Sequence, residues 1–201
     1  VGFADAIKDK GEVTLVDKTN GKRKHLITEV NGADSLYEAD GIIAESEAYA
    51  SEIFGSDTFY SAEGSSLAIR AMLYLALTEA KESGRAPLIL AGRNAHRSFI
   101  SAVALLGLDV EWLGGESSYM SASIGAGALS ERLDLMNTMP AAVYITSPDY
   151  LGFTSDISAL AEVCHKRGVM LLVDNAHGAY LKFLSPSMHP IDLGAHVCCD
   201  S

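Results

Sequence analysis

Beyond Asp40 the chain alternates between stretches whose apolar residues recur three and four apart and short unbroken apolar runs. That alternation predicts helices and strands in turn. Helices are expected over 44–54, 66–83, 95–106, 128–136 and 157–167, and strands over 58–60, 87–91, 110–113, 142–146, 169–174 and 196–199. In the longest helix Leu67/Ala68, Ala71/Met72, Leu75/Ala76 and Ala80 share one face, and Gly84 supplies the stop. Asp156 reads as an N-cap, and Lys166-Arg167 ahead of Gly168 suit the negative end of a helix dipole. Strands that are apolar throughout are buried on both faces, so the expected architecture is an α/β fold, a three-layer αβα sandwich around a mostly parallel sheet. The first forty residues look different: Val13–Val16, Asn20-Gly21 and Leu26-Ile27 suggest a hairpin. The expected organisation is therefore a segment 1–40 followed by a domain 41–201.

The most informative stretch is the run Val169-Met170-Leu171-Leu172-Val173, which closes on Asp174 and continues as Asn175-Ala176-His177-Gly178. A buried parallel strand ending in an acid brings a carboxylate to the edge where α/β sheets bind ligands. An Asp in that place also caps turns, and the run alone leaves both readings open. Three more polar clusters fall at predicted strand ends: Ser61–Ser66, Gly92–Ser98 and Ser147–Phe153.

Composition narrows the classes. Nearly half of the 201 residues are hydrophobic, enough for a substantial core, and a net charge of −11 disfavours nonspecific nucleic-acid or anionic-membrane binding. Lys22-Arg23-Lys24 is too short to alter that. No apolar stretch approaches a membrane span, and the first residues lack a signal-peptide pattern, so a cytoplasmic protein is expected. Cys164, Cys198 and Cys199 have the spacing of neither a disulfide framework nor a four-ligand metal site and are read as reduced and mostly buried.

Gly64-Ser65-Ser66, between strand and helix, can present backbone N–H groups and hydroxyls to a phosphate, and can equally be a capping turn. The chain has neither a G-x-x-x-x-G-K-[ST] loop nor a G-x-G-x-x-G turn. His96 and His177 each fit a cap or surface role as well as a site. Metal binding by His96, His177 and Asp174 has no supporting spacing, and no metal is expected.

Ser61-Ala62-Glu63-Gly64-Ser65-Ser66, Arg93-Asn94-Ala95-His96-Arg97-Ser98, Thr146-Ser147-Pro148-Asp149-Tyr150-Leu151-Gly152 and Val173-Asp174-Asn175-Ala176-His177-Gly178-Ala179 together resemble the Orn/Lys/Arg decarboxylase family, whose fold is that of aspartate aminotransferase. Asn31–Tyr37 also looks like the family's region ahead of its large domain. The resemblance runs from about Ile27 to Ser201. It implies pyridoxal 5'-phosphate as cofactor: Gly64, Ser65, Ser66 and Ser201 on the phosphate, His96 and Ala176 on the two faces of the ring, and Asp174 on the ring nitrogen. It further implies His177 at the ring's border and Ser147 near its phenolic oxygen. Asp174, His96 and His177 would thus be the catalytic set.

The resemblance also implies a small-molecule amino-acid substrate, decarboxylation, and a homodimer. The family's Schiff-base lysine belongs to a Ser-x-His-Lys motif whose first serine matches Ser201, so this chain is expected to be a fragment lacking that lysine and inactive alone. Asn175 stands where many members carry Glu, and residues 1–25 match nothing in the family pattern. Two alternatives remain at this point: an aminotransferase or lyase on the same fold, and a noncatalytic binding or assembly domain.

Overall fold

The computed structural model describes residues 2–7, 12–16, 23–27, 34–36, 39–114 and 123–201, the first three segments as backbone. Its contacts divide the chain into two compact units, Val1–Tyr60 and Ser61–Ser201.

In the first unit β1 (Gly2–Ile7), β2 (Glu12–Val16) and β3 (Arg23–Ile27) form an antiparallel sheet in that order. The two strands expected to flank the Asn20-Gly21 turn do pair, Val16 opposite Arg23, while the turn lies outside the described residues. Most of 31–37 also lies outside them. Helix α1 (Ile42–Phe54) begins beside Asp34, whose carboxylate accepts backbone N–H groups of Ser35, Asp40, Gly41 and Ile43 at 2.7–3.2 Å. Desolvation opposes ionisation of Asp34, but the four donors outweigh it and hold the carboxyl down at about 2. The strand expected over 58–60 does not form. Thr58 N–H donates to Ser51 Oγ (2.9 Å) and Tyr60 N–H to Glu47 Oε1 (2.8 Å), so side chains of α1 take the donors a strand neighbour would have used.

The second unit is the sandwich. Its strands β4 (Ala86–Gly92), β5 (Asp109–Leu113), β6 (Pro140–Thr146), β7 (Met170–Asn175) and β8 (Val197–Asp200) lie in the order β5-β4-β6-β7-β8, all parallel. Helices α2 (Ser65–Ser83) and α3 (Arg97–Leu106) cover one face, packing Ile69, Leu73, Ala76 and Phe99 on Ile89, Ala91, Tyr144, Leu172 and Cys199. Helices α4 (Ala126–Asp134) and α5 (Ile157–Lys166) cover the other, packing Leu129, Leu133, Leu160 and Cys164 on Leu90, Val143, Ile145, Leu171 and Val173. Side chains alternate across each strand, so every strand residue is committed to one of the two layers. The apolar runs are explained by this double burial: all seven residues of β6 are buried.

The observed ends agree with the local signals. Asp156 Oδ1 accepts Ala159 N–H at 3.0 Å, and α2 and α3 both stop at glycines in left-handed conformation, Gly84 and Gly107. A short 3-10 helix, Ala179–Phe183, follows β7 without having been expected. Strand order reverses at β4 and β6, because the chain passes from β4 outward to β5 and then returns to β4's other side. Connections of this kind leave a crevice at the carboxyl ends of the two strands.

Candidate functional site

The segments after β4, β6, β7 and β8, together with the start of α2, supply the candidate residues. Asp174 is the penultimate residue of β7 and is only 3% exposed. Alternation along β7 turns it to the same face as Leu172, toward α2 and α3. The Tyr144 hydroxyl donates to its Oδ2 at 2.9 Å, while Ala176 N–H (3.3 Å) and the Cys199 thiol (3.5 Å) reach Oδ1. Burial, then the charge of Asp174, drives the phenol of Tyr144 and the thiol of Cys199 far above their usual ranges, so both remain protonated donors. Among the described residues no lysine, arginine or histidine forms an ion pair with Asp174.

The second group gathers at two helix starts. Gly64 adopts φ 63°, ψ −158°, a conformation open to glycine, and α2 begins behind it with no side-chain cap. Ser61 Oγ donates instead to Gly64 O at 2.9 Å. The first turn of a 19-residue helix is thereby left to offer its N–H groups and positive dipole end to an anion. Ser66 Oγ lies 2.7 Å from Ser98 Oγ, which lies 2.9 Å from Nδ1 of His96. His96 caps α3, its Nδ1 accepting Ser98 N–H at 3.2 Å. Because a backbone N–H can only donate, Nδ1 carries the lone pair and the imidazole presents Nε2 outward from the cap. Two turns far apart in sequence are thus joined through Ser98.

The two groups are linked by packing. Phe99, in the first turn of α3, stacks on Tyr144 with ring centroids 4.3 Å apart, and Asn94 Nδ2 donates to Thr146 O at 3.3 Å. Of the remaining expected residues, Ser147 donates its N–H to Asp174 O at 3.0 Å. His177 is exposed with its ring 5.6 Å from that of Tyr150. Ser147 is buried, and its Oγ accepts Ser155 N–H at 3.0 Å, holding the connection into α5. Ser201 follows β8 and is exposed.

Sequence reasoning missed Tyr144, Cys199 and Ser98, which read as core or helix-start residues until the sheet brings them together. It also missed His189, Cys198 and Asp200, whose potential ligand atoms lie within 4.8 Å of one another. His189 Nε2 is 3.1 Å from Asp200 Oδ2, Cys198 Sγ is 3.8 and 3.9 Å from those two atoms, and Asn175 Nδ2 reaches Asp200 Oδ1 at 2.5 Å. These are mutual hydrogen bonds, and Cys198 packs with the α4/α5 layer, away from Asp174. No helix among the described residues is long and apolar enough to cross a membrane.

One group can receive an anion and the other a cation. A phosphate fits the uncapped start of α2, and a protonated heteroaromatic nitrogen fits a buried carboxylate that has only neutral donors.

Comparison with known proteins bears on the family and the fold. Residues 19–196 match the Orn/Lys/Arg decarboxylase major domain. The chain is 32% identical over 154 residues to an arginine decarboxylase of Halalkalibacterium halodurans, covering 75% of this chain and 30% of that protein. It spans about a third of the length of the curated relatives it matches. Among solved structures, mouse CSAD in apo form aligns with TM-score 0.60 at 21% identity, over 77% of this chain and 36% of that one. Oryza sativa TDC with PLP and tryptamine aligns with TM-score 0.59 at 15% identity, over 75% and 38%. Both share the α/β fold.

Proposed function

The chain belongs to the Orn/Lys/Arg decarboxylase family, and from that membership we propose that it forms the cofactor-binding part of a pyridoxal-phosphate-dependent decarboxylase of basic amino acids. Asp174 carries the reading: a buried carboxylate at the carboxyl end of an interior strand, supplied by the protein with neutral donors. Such a charge is costly to bury without a cationic partner, and a protonated pyridine nitrogen is one. The solved rice TDC carries PLP by its own description, and the relatives' names favour arginine among the basic amino acids.

Gly64, Ser65 and Ser66 would hold the phosphate through the first N–H groups of α2, with Ser201 as a further hydroxyl. His96 and Ala176 would flank the ring, and His177 and Ser147 would stand at its border. Asp174 would hold a proton on the ring nitrogen, since its charge favours the protonated form of a neighbouring base. When bound, pyridoxal phosphate supplies an electron sink for the pair left behind as carbon dioxide departs. The buried setting of Asp174 excludes water that would otherwise screen its charge.

The test uses the full-length protein that contains this chain. With added pyridoxal phosphate it should retain a visible-range absorption through gel filtration and release CO2 from arginine, lysine or ornithine. Failure to retain the cofactor, or transfer of the amino group to a keto acid without CO2, would overturn the proposal.

A further inference from the structure

A carboxylate offers about four lone-pair positions, two on each oxygen. On Asp174 three have donors among the described residues: Ala176 N–H and Cys199 S–H on Oδ1, and Tyr144 O–H on Oδ2. The remaining position is on Oδ2. We propose that Tyr144 and Cys199 are positioning residues that fix the Asp174 carboxylate so that Oδ2 alone receives the cationic N–H of a heteroaromatic ligand, an inference that rests on the cofactor reading above.

The donors come from three places that the sheet holds in register. Tyr144 stands on β6, Cys199 on β8 opposite Asp174, and Ala176 in the turn after β7. A carboxylate gripped from one side only would still rotate about χ2; contacts from both neighbouring strands and the following turn prevent that. The grip is itself immobile. Tyr144 has no exposed surface, and its ring lies against Phe99.

Neutrality of the donors is the second part of the argument. A lysine or arginine at 144 or 199 would satisfy Asp174 and cancel the charge that attracts a cationic ring. A phenol and a thiol that burial keeps protonated orient the carboxylate while leaving its full charge in place. Phe99 also belongs to the first turn of α3, whose cap is His96, so the residue that immobilises Tyr144 shares an element with the imidazole assigned to the ring face.

The experiment measures cofactor affinity and the ring-nitrogen signal of bound pyridoxal phosphate labelled with 15N, in the full-length protein. Tyr144→Phe preserves volume and removes one hydrogen bond to a charged group, so binding should weaken by roughly tenfold or more. The 15N signal should move toward that of neutral pyridine, a change that loss of packing alone would not produce. Cys199→Ser keeps a donor and should bind within about twofold of the unaltered protein, whereas Cys199→Ala should shift the 15N signal in the direction Tyr144→Phe does.

Unchanged affinity and 15N signal in Tyr144→Phe would overturn the proposal. Should that variant not fold, the two Cys199 variants decide, and identical 15N signals in both would overturn it equally. Asp174→Asn separates the levels: if it moves the ring signal and Tyr144→Phe does not, only the positioning role fails. If the unaltered protein binds no cofactor, or Asp174→Asn leaves the signal in place, the cofactor reading itself fails.

Discussion

Gly178→Ala tests the turn that follows β7. Gly178 has an ordinary negative φ of −128°, so backbone strain is not the issue; space is. A Cβ there would lie 2.1 Å from Asn175 Oδ1 and 2.6 Å from Pro148 Cδ. Neither neighbour yields readily. Asn175 has no exposed surface and its Nδ2 is tied to Asp200, while Pro148 is a rigid ring next to Ser147, whose N–H is bonded to Asp174 O at 3.0 Å. Overpacking of this kind costs about 1–3 kcal/mol, and swinging Asn175 away would forfeit a hydrogen bond to a carboxylate, about 1.5–3 kcal/mol. The stiffer unfolded chain of the alanine variant returns only about 0.4–1 kcal/mol. The net expectation is roughly 2–5 kcal/mol of destabilisation, a fall in Tm of roughly 5–15 °C for a domain of this size. Thermal unfolding followed by circular dichroism measures it. Adding Asn175→Ala removes the nearest clashing atom, so the double variant should lose less than the two single losses combined. A Gly178→Ala protein within about 0.5 kcal/mol of the unaltered one would refute the close-approach argument.

The remaining expectations concern other parts of the fold. Asp34 has its carboxyl depressed from 3.8 to about 2, so its contribution to the start of α1 is fully present above pH 4 and disappears as pH falls toward 2; NMR titration of its carboxyl carbon should give a midpoint near 2, and a midpoint near 4 would contradict the four-donor geometry. The Cys164 thiol is fully buried and pushed up to about 12, with Cys198 and Cys199 shifted in the same direction, so native protein at pH 8 should not react with a thiol-specific disulfide reagent, while denatured protein exposes all three. Leu129→Ala, at a site with no exposure between α4 and the sheet, should cost about 2–5 kcal/mol in denaturant unfolding, against less than about 0.5 kcal/mol for truncating the exposed Leu135.

Much of this protein is determined locally, and local features can be read from residue order. Helices α1 to α5 and the parallel strands follow from apolar periodicity, from glycine at the ends of α2 and α3, and from Asp156 ahead of α5, because each depends on residues within one or two turns. The position of Asp174 at a strand end, the glycine–serine turn before α2 and the start of α3 at His96 are local in the same sense. The segment 58–60 shows the limit: its composition suits a strand, but a strand exists only with a partner, and Ser51 and Glu47 took its donors first.

What required the tertiary structure is whatever depends on lateral neighbours. The order β5-β4-β6-β7-β8 sets Tyr144 and Cys199 on either side of Asp174, 30 and 25 residues away along the chain. It is likewise the packing of α2 beside α3 that joins Ser66 to His96 through Ser98. Nothing in residue order marks a tyrosine or a cysteine in an apolar run as a donor to a distant carboxylate. Secondary structure is decided by contacts a few residues apart, whereas sheet order and side-chain pairing are decided by which buried surfaces meet once those elements pack.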